Sequence, residues 1–137
     1  MAQSTEPCVA GLFTSDGGAR VFGSRCSACG TPYFPRLPTC HNPDCPGSSM
    51  EPCEFGGRGK VWSYSVADFP PPPPHKYDQP FKPYAIAVVD LDSGLRLVGQ
   101  MVDPPAAMQV GAVVELVIDP LYHEQDKAFT SWKFKLT

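Results

Sequence analysis

Two close pairs of thiols carry the clearest chemistry in the chain: Cys26-x-x-Cys29, followed at once by Gly30, and Cys40-His41-Asn42-Pro43-Asp44-Cys45. Zinc asks for four soft or borderline ligands at the corners of a tetrahedron, and two tight loops that each present a cysteine pair supply them with little backbone strain. Gly30 is the small residue that lets backbone amides turn toward the first pair of sulfurs. The second pair is two residues longer than the tightest knuckle and still within the spacing zinc sites tolerate. Cys26, Cys29, Cys40 and Cys45 are therefore expected to hold one zinc ion, with His41 as the rival ligand in place of Cys40 or Cys45. Four protein ligands leave no position open for water, so the expected role of the metal is structural. The competing reading is four reduced thiols in a segment too poor in apolar residues to fold unaided. Of the remaining cysteines, Cys53 lies too close to the following strand to be a first choice, and Cys8 reads as a free thiol.

The rest of the chain offers little further chemistry. His75 and His123 lie in proline-flanked surroundings, without a serine or cysteine nucleophile in a recognisable motif, and read as surface residues. Asp90 and Asp92 bracket a turn and are assigned to turn geometry rather than to an acid/base pair. Gly56-Gly57-Arg58-Gly59 lacks the lysine and helix of a phosphate-binding loop, and reads as a flexible entry or a bulge. Arg58 and Lys60 beside it can still reach an anionic group.

These residues must be positioned by short elements. The 137 residues include 17 prolines and 12 glycines, which interrupt the chain too often for long helices. With 42% hydrophobic residues and 8 Phe, 5 Tyr and 2 Trp, the chain has the material for a real core. Lys60 to Phe69 alternates, with Trp62, Tyr64 and Val66 on one side as core and Ser63, Ser65 and Ala67 on the other. Five prolines follow. Tyr84 to Leu91, the turn Asp92-Ser93-Gly94 and Leu95 to Met101 predict a hairpin. Val113 to Ile118 predicts a fourth strand. Thr130 to Leu136 predicts a fifth, with Thr130, Trp132, Phe134 and Leu136 inward.

Five short strands in some 80 residues fit a small barrel, of which the OB-fold is the commonest five-stranded kind. The expected fold class is mainly β: a docking tail over 1–18, a zinc ribbon over 19–53 and a five-stranded OB-fold barrel over 54–137. Pro70 to Pro74 forms polyproline II, either a ligand for a proline-binding domain or, more simply, a rigid loop.

A net charge of −3 and a pI near 5.5 argue against a general affinity for phosphate backbones. No apolar run is long enough for a membrane helix, and Met1 to Pro7 lacks the pattern of an export signal, so cytoplasm is the expected compartment. That setting favours metal over disulfides for the thiols.

Tyr33-Phe34-Pro35-Arg36 after the first knuckle, then Gly57-Arg58-Gly59-Lys60-Val61, Trp62-Ser63-Tyr64-Ser65-Val66, Pro83-Tyr84 and Asp92-Ser93-Gly94 form an ordered set. Over Ala19 to Leu136 it resembles the acyl-CoA-associated OB-fold family with an N-terminal rubredoxin-like zinc ribbon. The resemblance implies a non-catalytic subunit of a thiolase-fold enzyme (thiolase, aldolase or synthase) that helps enclose a CoA thioester at a shared interface. Thiolate attack or retro-aldol cleavage would then occur on the partner. Two features depart from the family pattern: the longer second knuckle, and an N-terminal helical segment that is shortened or absent.

The loop from Phe69 to Phe81, with His75, Tyr77 and Phe81, is suited to lining a pocket for a bulky acyl group, which favours an aromatic or steroidal acyl-CoA. The competing class is an OB-fold module gripping single-stranded nucleic acid through Trp62, Tyr64 and Phe69, against which the acidic balance weighs. A free-standing metalloenzyme is a third and weaker reading.

Overall fold

The computed structural model describes residues 4–15, 18–74 and 76–137. Its strands, in chain order, are β1 (Ser4–Pro7), β2 (Phe13–Thr14), β3 (Arg20–Cys26), β4 (Pro32–Tyr33), β5 (Met50–Gly56), β6 (Arg58–Ala67), β7 (Tyr84–Leu91), β8 (Arg96–Met101), β9 (Val113–Glu124) and β10 (Lys127–Leu136). A single turn of 3-10 helix covers Pro105–Ala107, and no α-helix occurs among the described residues. Among these residues no helix is long and apolar enough to cross a membrane.

Strands β6 to β10 close on themselves. The sheet runs β10-β8-β7-β6-β9, and β9 pairs back onto β10 to complete the barrel. β10 meets β8 in parallel at Lys133↔Gln100 and Phe134↔Met101, and every other barrel pairing is antiparallel. The expected hairpin over β7 and β8 is present, with Val88 opposite Val98. Phe134 and Val89 are fully buried inside it. At Gly59 a side chain would lie 2.5 Å from the Asp90 carbonyl oxygen, so glycine is what lets β6 and β7 approach there. The Gly56–Gly59 run is a corner rather than a flexible entry: Gly57, at φ 83°, turns the chain from β5 straight into β6, and its carbonyl accepts a hydrogen bond from Leu116 N.

Three strand expectations need correcting. The pairing of β6 with β7 shifts between Val61 and Ser63, a β-bulge that leaves Trp62 as the extra residue. Val61 is buried, whereas Trp62, Tyr64 and Val66 are 54%, 37% and 40% exposed, so they are not core. The fourth strand does not end at Ile118, nor does the fifth begin at Thr130. β9 and β10 form one long hairpin around Gln125 and Asp126, both at positive φ as a two-residue primed turn requires. A register shift between Phe129 and Thr130 accommodates Pro120, which therefore does not break the strand. His123 consequently sits in β9 and not in a loop.

The ribbon is a second sheet in which β3 pairs with β5 along its length and with β2 and β4 on its other edge. It shares its core with the barrel. Val21 and Phe55 belong to the same buried cluster as Val61 and Phe134. Trp132 of β10 packs edge-on against Phe34 at 5.2 Å and Phe13 at 5.9 Å, and donates its indole N–H to Val98 O. Gly23 is within β3 itself, where a side chain would meet the Tyr33 carbonyl oxygen at 2.2 Å. The first residues join both sheets: β1 lies parallel to β10, with Glu6 paired to Lys127 at 2.9 Å, and β2 continues into the ribbon.

Candidate metal centre

The first knuckle forms because β3 ends in a tight turn. Gly30 N donates to Cys26 O at 2.6 Å, with Gly30 at φ 81°, and Cys26 N donates to Thr31 O at 3.0 Å. The longer second knuckle closes over Asn42. Its side-chain oxygen accepts from Asp44 N at 3.0 Å and its carbonyl from Cys45 N at 3.1 Å, an Asx turn that absorbs the two extra residues. As a result the four expected sulfurs converge. Cys26 and Cys45 are 3.6 Å apart, as are Cys29 and Cys40, and all four Sγ atoms lie within 4.8 Å of one another. A tetrahedral zinc with Zn–S bonds of about 2.3 Å has ligand edges of about 3.8 Å, so the quartet fits that ion.

His41 is not a member of this group. It is exposed, and its ring stands edge-on to Tyr33 with centroids 6.0 Å apart. Cys8 and Cys53 are free thiols elsewhere in the fold.

Three residues around the sulfurs carried no recognisable sequence signal. Thr31 Oγ1 lies 3.1 Å from Cys29 Sγ and accepts from Asn42 Nδ2 at 3.1 Å. Tyr33 OH is 3.4 Å from Cys40 Sγ and accepts from His41 N. Such neighbours orient metal ligands and steady their charge. Without a cation the thiols cannot ionise together. Backbone amides, that of Ser49 foremost, pull Cys26 down to about 6 against the effect of burial. For Cys45 the contact with Gly47 is outweighed by burial and by the other three sulfurs, which hold it at about 12. Cys29 is lowered, chiefly by Thr31.

The residues proposed to touch an acyl-CoA fall into two places. Arg58 and Lys60 are exposed at the start of β6, in register with Glu115 and Val113 of β9. Tyr77 and Phe81 are at the opposite end, about 23 Å away at the rise of a strand, where Ala67 pairs with Tyr84. There Tyr77, Phe81 and Tyr84 form a chain of edge-on rings, and the proline loop and β9 border an open cavity of about 960 Å³ lined also by Lys76, Met101 and Tyr122. His75 lies outside the described residues.

The loop is tied to β9 by Lys76–Glu124 at 2.6 Å and by Asp78, whose two oxygens accept from His123 N and meet His123 Nδ1 at 2.7 and 2.6 Å. Partial burial of Asp78 opposes ionisation, but the bonds from His123 win and hold its carboxyl below the usual range. A lowered carboxyl contributes stability above its unfolded pKa of about 3.9 and loses it as pH falls through the folded value. Both groups are half exposed. Asp78→Asn is therefore expected to cost less than about 1 kcal/mol at neutral pH and to flatten the acid limb of a urea stability profile below about pH 4.

The sequence matches two family profiles: "ChsH2, rubredoxin-like zinc ribbon domain" over residues 19–51, and "ChsH2, C-terminal OB-fold domain" over residues 53–119. A DUF35 domain-containing scaffold protein of Methanocaldococcus jannaschii is 34% identical over 117 residues, covering 84% of this chain and 79% of its own. The benzoylsuccinyl-CoA thiolase subunit BbsA of Thauera aromatica is 31% identical over 114 residues, 82% of this chain and 74% of its own. Among solved structures, a chain of an Ltp2-ChsH2(DUF35) aldolase superposes with a TM-score of 0.62 at 32% identity, over 96% of this chain and 98% of that one.

Proposed function

The chain belongs to the ChsH2 family of proteins that join a rubredoxin-like zinc ribbon to an OB-fold, and on that premise we propose that it is a non-catalytic scaffold subunit of a thiolase-fold acyl-CoA enzyme. The observation that carries this reading is the end-to-end likeness, in fold and at 32% identity, to a chain of an aldolase assembly. Cys26, Cys29, Cys40 and Cys45 hold one zinc ion, which supplies folding energy to the ribbon and leaves no site for a substrate. The reacting groups are on the partner. Use of four cysteines as metal ligands suits a reducing compartment, the cytoplasm.

The units 19–53 and 54–137 act as one body through their shared core. The finer part of the proposal concerns the substrate. Tyr77 and Phe81 line the cavity under the proline loop, and its aromatic wall suits a bulky aromatic or steroidal acyl group. A CoA thioester that also touched Arg58 and Lys60 would run the length of β6. The Tyr77→Ala, Phe81→Ala double variant in the assembled enzyme is expected to raise KM for the acyl-CoA several-fold, and an unchanged KM removes the pocket from the account.

Isolating the protein under native conditions from its source and identifying its companions by mass tests the main reading. A thiolase-fold chain in stoichiometric amount is expected. A solitary monomer opposes it. The nucleic-acid reading has the exposed Trp62, Tyr64 and Phe69 in its favour. Against it, the cation stacked on Trp62, Arg96, is already engaged by Asp90 through two bonds of 2.6 and 3.1 Å.

A further inference from the structure

We propose that the open edge of β6, Trp62 to Ala67, is where an extended segment of the catalytic partner pairs as an added strand. This rests on the scaffold reading above and names the surface that reading needs. β6 pairs with β7 to its end at Ala67, but with β9 only over Arg58 to Lys60. Val61 is the last residue served on the second edge, by Ala112 O and Gly111 N. Past it the bulge at Trp62 turns the strand away from β9, and no described strand lies alongside. About half the backbone groups of these six residues therefore face outward along an unpaired edge.

Natural edges are usually guarded by charge or proline. Trp62-Ser63-Tyr64-Ser65-Val66-Ala67 contains neither, with Lys60 and Asp68 only at its flanks. Four of the nine large apolar side chains exposed among the described residues, Trp62, Tyr64, Val66 and the 78% exposed Phe69, belong to this edge and the residues just after it. The Trp62 ring is stacked against a guanidinium. Arg96 lies 4.1 Å from the ring centroid, and Asp90 fixes Arg96.

The surface itself says what covers it. Unpaired backbone groups at strand spacing with exposed side chains between them fit an extended polypeptide. Size separates the two candidate polypeptides. The three aromatics expose on the order of 300 Å², a functional patch but well short of the roughly 800 Å² per side of a stable complex. Two copies of this chain joined only through this edge would fall below that size, whereas a large partner that also contacts other parts of the chain would not.

Hydrogen exchange read by mass spectrometry, on the purified complex and on the free full-length chain, tests this directly. Amides of Trp62 to Ala67 that face the open edge are expected to exchange at least about tenfold more slowly in the complex. In parallel, Tyr64→Lys with Val66→Lys is expected to weaken partner binding by about tenfold or more, with unchanged zinc content and unfolding midpoint. Unchanged exchange in a stoichiometric complex overturns the edge proposal and leaves the scaffold reading standing. Protection that rises with concentration in the free chain assigns the edge to a second copy, and protection by single-stranded oligodeoxythymidylate assigns it to nucleic acid. Either result overturns the proposal. A preparation with no thiolase-fold partner at all overturns the scaffold reading, and the edge proposal with it.

Discussion

Serine in place of Cys29 is expected to reduce bound zinc from about one equivalent to less than about a tenth, and to leave residues 19–53 open to protease. A site of this kind contributes about 10–16 kcal/mol of apparent binding free energy, as much as the whole stability of a typical domain. The ribbon has little to replace it. Its own fully buried apolar side chains are few, Val21 and Phe55 being the largest, and both depend on the barrel for part of their cover. Acid should oppose zinc in the same direction. In the metal-free quartet at neutral pH Cys45, held at about 12, keeps its proton, while Cys26, at about 6, has mostly lost its own. Zinc uptake therefore releases protons, and affinity falls more steeply once pH drops below about 6, where Cys26 must be deprotonated as well. Elemental analysis and proton-release titration check both effects. Zinc binding that is independent of pH would oppose the four-thiolate site.

The second large effect is in the barrel. Phe134 is fully buried on β10 where that strand meets β8, and its ring lies 3.0 Å from where a side chain at Gly99 would begin. Phe134→Ala removes the largest fully buried side chain of the barrel strands, and should cost about 3–5 kcal/mol. That loss should appear as a lowered urea midpoint with an unchanged slope, and as a fall in Tm on the order of 10 °C. Because the ribbon shares this core through Trp132, Phe13 and Phe34, both sheets should melt together. Two separated transitions would contradict the shared core.

What the sequence made visible follows from how locally it is encoded. The Cys-x-x-Cys spacing with its glycine is a covalent statement about a turn, and the hairpin over β7 and β8 announces itself through Asp92-Ser93-Gly94 between two apolar runs. Thr31, Tyr33 and Asn42 beside the four sulfurs gave no such signal, because their role depends on how two distant loops face each other. The bulge at Trp62 was invisible for a related reason. Alternation alone makes Trp62, Tyr64 and Val66 look like core, and only the last contact of Val61 with Gly111 and Ala112 shows that β6 parts from β9 there while it stays paired with β7. The turn at Gln125-Asp126 lacks the Asn-Gly or Asp-Gly pair that marks such hairpins, and Pro120 reads as a breaker until the register shift that accommodates it is seen. The pairing of β1 with β10 joins residues more than 120 positions apart, and a short segment such as Ser4–Pro7 carries no pattern that names so distant a partner.

The central claim is that this chain scaffolds a reaction whose chemistry is on another polypeptide. Turnover of a panel of β-oxoacyl- and β-hydroxyacyl-CoA thioesters, measured for the purified zinc-loaded chain, for its isolated partner and for the two combined, tests it most directly. The account predicts no turnover by this chain alone and full activity only in the combination. Turnover by this chain alone at the rate of the mixture would contradict it.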